Sequence, residues 1–221
     1  MRHKPSIEIF TYWEQLRGTA DAPLRNLIQP AAVRHILPQL FILERMPDAA
    51  PRFRLAGTAI CSLMGREIRG ESFEALWAGS QASDPVGIAT GVMEYVVPAL
   101  INVTGYSIGG RHMAFEMVLM PLRSSADSCD RLLGCLTPAA QMAWLGNERL
   151  EFLALDRSRL LYERPARAIE APPHPDPVDL APPRDRAAGI GELMRRLLNP
   201  KPVTRDQGPV ASSRDRFSRP F

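Results

Sequence analysis

The short run GYSIGG, Gly105 to Gly110, gathers the residues of this chain best suited to bond chemistry. It spells G-x-S-x-G, the pattern of a nucleophile elbow, in which a strained strand-to-helix turn lifts a serine clear of a sheet for acyl transfer. Ser107 would then need an imidazole as base, a carboxylate to orient that base, and backbone donors for the oxyanion. Asp156 and His174 follow it in the order that α/β-hydrolases use. His174, however, sits in PPHPDP, where nothing holds a ring within reach of a hydroxyl. The hydrolase architecture also places several strand and helix units ahead of the elbow, and the residues before Gly105 supply few. The same small residues close a β-hairpin, with Gly109 and Gly110 making the turn and Ser107 ending a strand. The hairpin is the leading expectation, and a serine hydrolase acting through Ser107 is the alternative.

Other chemistry finds little footing. Cys61, Cys129 and Cys135 form no C-x-x-C pair and share no ligand spacing with His3, His35, His112 or His174, so reduced, mostly buried thiols are expected. The chain has no phosphate loop of the G-x-x-x-x-G-K-[ST] type, no H-E-x-x-H and no dinucleotide fingerprint. No catalytic residue, metal or cofactor is therefore expected. Glu94, on an otherwise apolar stretch, is read as facing solvent.

Composition bounds the rest. With 221 residues, 45% of them hydrophobic, the chain can bury one substantial core and reads as one domain with appendages. The net charge of +3 is arginine-borne, since lysine occurs only at Lys4 and Lys201. No basic stripe interleaves with aromatics, which argues against a nucleic-acid partner. The N-terminal PSIEIFTYWEQL is amphipathic with two glutamates, unlike a signal peptide, and PVGIATGVMEYVVPALI is broken by Glu94 and Pro98, unlike a membrane span. A cytoplasmic protein without membrane contact is expected.

The elements that must position these residues follow from periodicity. Ser6 can cap a first helix carrying Ile9, Trp13 and Leu16, stopped by Gly18. A second short helix, with Val33, Ile36, Leu37 and Leu40 on one face, starts at Pro30 and is cut short by Pro38. LFILE and RFRLAG flank the turn-forming MPDAAP as a hairpin. Thr58 and Ser72 are placed as caps of short helices, and Asp84 with Pro85 opens a longer one limited by Pro98. INVTGYS, RHMAFEMVLMPL and RLLGCLT read as strands, and the middle one is apolar on both faces, so both faces of its sheet need cover. RLEFLALDRSRLLY is left open between strand and helix. From Pro165 the composition is that of a proline-rich linker, largely disordered, broken by a short helical candidate, GELMRRLLN.

In this order, hairpin, short helices, longer helix and three strands, the chain resembles a PAS domain. The resemblance is carried most specifically by FRLAGTAICSLMGREIRGESFEALW, Phe53 to Trp77, and covers roughly Ile7 to Leu155. YWEQLRG, LPQLFILE and the later WLG resemble a subgroup of short single-domain bacterial PAS proteins with an N-terminal helical extension. It implies an α+β fold: a five-stranded antiparallel sheet with short helices on one face and the N-terminal helix on the other. The implied divisions are a helical extension at 1–39, a PAS core at 40–140, a C-terminal extension at 141–164 and a tail at 165–221.

The resemblance further implies a non-enzymatic sensor or interaction module of signal transduction, with a signalling protein as partner. The homodimer it implies would use Ile9, Trp13 and Leu16. A pocket between helices and sheet would be lined by Ile60, Leu63, Met64, Phe73, Met93, Val97, Met113, Phe115 and Met117, unless these side chains simply fill the core; a small-molecule ligand is left open. Gly70, Glu71, Ser72 and Phe73 stand where flavin-binding light sensors carry their reactive cysteine motif, and the long helix has no histidine of the haem-binding kind.

Overall fold

A computed structural model describes residues 1–162 of the chain. The first helix, α1 (Lys4–Arg17), starts at His3 with Pro5 in its first turn and stops at Gly18, whose φ is 54°. Ser6 is therefore not the cap that periodicity assigns it. It lies inside the helix on the buried stripe with Ile9 and Trp13. The expected second helix is replaced by two short 3-10 turns, Pro30–Val33 and Leu37–Gln39, preceded by a third at Arg25–Leu27, because Pro38 withholds the amide donor that a helix continuing from Pro30 would need there.

Strands β1 (Leu40–Met46) and β2 (Ala49–Ala56) form the first hairpin, turning at Asp48 with a positive φ of 54°. Gly57, not Thr58, caps α2 (Thr58–Met64), which ends at the left-handed Gly65. Ser72 does cap, accepting the Glu74 N–H at the head of the 3-10 turn Phe73–Leu76. Helix α3 (Ser83–Tyr95) then returns the chain to β3 (Ala99–Ser107), β4 (His112–Leu122) and β5 (Arg131–Pro138).

The sheet has six strands, not five, in the order β2-β1-β5-β4-β3-β6, and every named pairing is antiparallel. The sixth, β6 (Leu150–Leu160), lies along the outer edge of β3. Its register slips twice against β3, once beside Glu151 and once beside Asp156. Each slip inserts an unpaired residue, which destroys strict alternation and explains why periodicity left the segment ambiguous. Part of the 141–164 extension is thus an edge strand of the sheet itself.

Two apolar clusters sandwich the sheet. On the helix side, Phe41, Leu43, Ile101, Val103, Phe115, Met117 and Leu119 meet α2, α3 and the 73–76 turn. On the opposite side, Ile42, Leu100, Val118, Met120, Leu122 and Leu133 are covered by Ile9 and Trp13 of α1 and by Val33 and Ile36 of the 3-10 turns. Central β4 is buried on both faces from Phe115 to Leu122, which accounts for its lack of alternation.

Candidate functional site

The helix-side core brings together eight of the nine residues expected to line a pocket. Ile60, Leu63, Met64, Phe73, Met93, Phe115 and Met117 are buried in one cluster, and half-buried Met113 packs against it. Val97 is the exception, lying with Val92, Ala99 and Leu160 along a groove of about 1060 Å³ between α3 and the end of β6. Aromatic rings occupy much of the core: Phe41, Phe53 and Phe73 lie 5.6 to 6.3 Å apart by centroid, and Trp77 meets Phe73 edge-on at 5.4 Å. One polar atom there is unspent, since the buried Trp77 Nε1–H has no hydrogen-bond partner among the described residues.

The opposite face is organised around α1. Ile9 and Trp13, expected at a dimer interface, are fully covered by the chain's own sheet, while Leu16 is half-buried. Trp13 Nε1 donates to the Pro121 carbonyl at 2.8 Å, so the indole is fixed in depth as well as packed. Just ahead of the helix the buried Glu116 carboxylate of β4 accepts the Arg2 N–H at 2.9 Å and that of His3 at 3.4 Å, which ties the segment entering α1 to the sheet and sets a carboxylate at the positive end of the helix dipole. Ser6 Oγ reaches Thr137 Oγ1 at 3.3 Å, and Thr137 continues to Gln39 at 3.4 Å. At the tail of the helix Glu14 accepts from Tyr162 and from Arg17. The Arg17 guanidinium lies 5.5 Å from the Trp13 ring and 5.3 Å from that of Tyr162. These polar ties escaped sequence reasoning; the available signal was Glu116, a carboxylate inside the otherwise apolar MAFEMVLM.

Ser107 ends β3 as the hairpin reading requires. Gly110 N–H donates to the Ser107 carbonyl at 3.0 Å with a φ of 80°, and the chain reverses straight into β4 rather than into a helix. The Ser107 hydroxyl donates to Glu148 Oε1 at 2.6 Å and accepts the Arg111 N–H at 3.0 Å. Glu148 also accepts the Gly109 N–H at 2.7 Å, with Arg111 3.5 Å away. Its hydrogen bond from Ser107, then that from Gly109 and the nearby Arg111 charge, hold the carboxyl below the usual range. This is a clasp binding the hairpin tip to the loop before β6. Asp156 accepts from Thr104 across the β3–β6 pair, and His174 lies outside the described residues. His112 opens β4 beside Tyr106, His35 pairs with Glu8 at 2.6 Å, and Glu94 is exposed as expected.

Burial pushes the thiols up: Cys135 and Cys129 each to about 11, Cys61 upward by a smaller step. Among the described residues, no cluster of three or more His, Cys, Asp or Glu side chains could hold a metal ion, and no helix is long and apolar enough to cross a membrane. GELMRRLLN and the rest of the proline-rich tail fall outside the described residues.

A family model described as a PAS domain matches residues 1–137. Among solved structures the chain is similar to the LOV domain from the Erythrobacter litoralis EL346 blue-light activated histidine kinase, at 14% identity over 46% of this chain and 95% of that one, with a TM-score of 0.38. It is similar also to the light-state structure of the blue-light photoreceptor Aureochrome1 LOV, at 16% identity over 50% and 88% of the two chains, with a TM-score of 0.39. A third likeness is to the Rhodobacter sphaeroides LOV protein, at 14% identity over 50% and 66%, with a TM-score of 0.40. No curated protein matches the chain.

Proposed function

The chain belongs to the PAS domain family, and from that premise we propose that it is a non-enzymatic sensory module of signal transduction that acts through protein contacts. The observation that carries this reading is the manner in which α1 lies on the sheet. Its apolar stripe is buried, yet Glu116 at its head and Glu14 with Arg17 and Tyr162 at its tail are separate polar ties. In this reading α1 exchanges between a docked and an undocked arrangement, and anything that binds one of them better shifts the population. Undocking would free Ile9 and Trp13 together with Leu16 to serve the homodimer or a signalling partner.

The test is a reversible lock. Ser6→Cys with Thr137→Cys, in a Cys135→Ala background, replaces two side chains whose oxygens lie 3.3 Å apart by thiols able to cross-link α1 to β5. Partners captured from the native host should differ between the oxidised and the reduced protein, and light scattering should show the particle mass changing with them. Identical capture and identical mass in both states would remove the α1 reading.

A second reading, a small ligand within the helix-side core, is favoured by the unpartnered Trp77 Nε1–H of a ring that meets Phe73 in the cluster holding Met93 and Phe115. A buried indole donor left alone costs about 1–3 kcal/mol, which an acceptor on a ligand would recover. Native mass spectrometry of gently purified protein would then record a mass above that of the polypeptide, reduced by Trp77→Phe. The polypeptide mass alone under every preparation would count against it. The hydrolase alternative has its own readout: a fluorophosphonate probe is expected to leave Ser107 unlabelled, and labelling abolished by Ser107→Ala would restore the enzyme.

A further inference from the structure

We infer that the β2 edge of the sheet is a docking surface for an extended acidic peptide with apolar side chains between its carboxylates. Two clefts adjoin there. One, of about 340 Å³, is lined by Arg25, Arg54, Arg69 and Glu67 over a floor of Ile42, Leu55 and Ala56. The other, of about 310 Å³, is lined by Arg52, Arg54, Arg69 and Glu44 over Met46 and Phe53. They share Arg54 and Arg69, so a ligand filling both is elongated and passes those two residues.

The charge is concentrated and largely unspent. The described residues carry as many acidic as basic side chains, yet four arginines face two glutamates around these clefts. Both glutamates are engaged. Glu44 takes Arg54 at 3.2 Å and Arg131 at 2.6 Å, the latter an ion pair without hydrogen-bond alignment. Glu67 accepts the Arg69 N–H at 2.9 Å and the Cys61 thiol. Arg25, Arg52 and Arg69 are exposed, and among the described residues no carboxylate pairs with their side chains. An arginine fork offers parallel donors that match a carboxylate.

The pattern favours a peptide over a continuous polyanion. Glu67 lines one cleft and Glu44 the other, so each cleft mixes one carboxylate with its arginines, which repels closely spaced phosphates but fits beside spaced carboxylates. Exposed Leu55 on the floor offers contact to an aliphatic side chain, and no aromatic ring stands exposed here for base stacking. The inference rests on the proposed function only in taking the partner to be a protein; it uses none of the α1 residues.

The test is anisotropy of a fluorescein-labelled peptide of alternating glutamate and leucine, titrated with the full chain at low and physiological salt. Saturable binding is expected, weakened by salt. Arg52→Glu with Arg69→Glu should weaken it roughly tenfold or more, and Arg52→Gln with Arg69→Gln should fall between. Arg157→Glu with Arg159→Glu, a charge-matched change on β6 at the far edge of the sheet, should leave it within about twofold. Absence of saturable binding overturns the inference, as does equal loss in the two charge-reversed pairs. Tripolyphosphate that binds the same arginines more tightly than the peptide assigns the surface to a phosphoanion and also overturns it. If the α1 lock alters partner capture while the arginine variants leave peptide binding unchanged, only this surface is lost; the opposite pair of results removes the α1 reading and keeps the surface.

Discussion

At the scale of single residues, Glu148 ties the G-x-S-x-G run into a hairpin clasp. Its carboxylate takes the Ser107 hydroxyl, the Gly109 amide and the Arg111 charge, and a side chain on Gly109 would collide with it, a Cβ there falling 2.2 Å from Glu148 Oε1. Because these donors favour the ionised form, the native carboxyl releases its proton more readily than the unfolded one, whose ordinary value is 4.5. The stabilisation is then complete above that value and fades as pH falls through the lower native one. Glu148→Gln should lower the melting temperature at neutral pH. The gap to the unaltered chain should narrow on acidification below the ordinary carboxylate range, read by calorimetry across pH; a gap independent of pH would deny the clasp its charge.

At the scale of elements, close approach and depth decide what is tolerated. Gly134 on β5 lies under the Phe41 ring, and a Cβ there would meet the ring at 2.0 Å. Phe41 is itself held by Phe53 and Phe73, so Gly134→Ala should cost about 1–3 kcal/mol through overpacking, measured by urea denaturation. For α1, Trp13→Ala should cost about 3–5 kcal/mol in the same assay. Trp13→Phe should cost about 1–3 kcal/mol, because the buried Pro121 carbonyl loses its donor while most of the apolar burial survives.

The same elements mark how far sequence carries. The Ser107 hairpin, the Ser72 cap and the Asp84–Pro85 opening of α3 were legible because each depends on local chemistry. The strand character of β6 was not, since its two register slips are set by its partner β3. The start of α1 was misplaced for a similar reason. Ser6 has the chemistry of a cap, but Thr137, far along the chain, takes its hydroxyl, and the helix starts three residues earlier at His3, where Glu116 holds the incoming chain. Of the candidate pocket residues, eight gather in the core on the helix side of the sheet, while Val97 lies apart from them just beyond the left-handed Val96 that ends α3.

At the scale of the whole molecule, one sheet separates two apolar clusters that share no residue, so the cover on one face can open without emptying the other. The surplus charge of +3 resides in residues 163–221, the described part being balanced, so net charge does not account for the arginines gathered at the β2 edge. Cys135 is the natural reporter of the α1 face. It is fully buried beneath that layer beside Thr137, and burial raises its thiol to about 11, which leaves little thiolate near neutral pH. Half-exposed Cys61 should therefore react first with a thiol reagent, and Cys135 should remain blocked in the native chain. Trp13→Ala weakens only the α1 side, so it should speed modification of Cys135 by far more than it lowers resistance to global unfolding, with sites assigned by peptide mass. If Cys135 became reactive only in step with global unfolding, α1 and the helix-side core would be a single cooperative unit, and a docking equilibrium of α1 could not carry a signal.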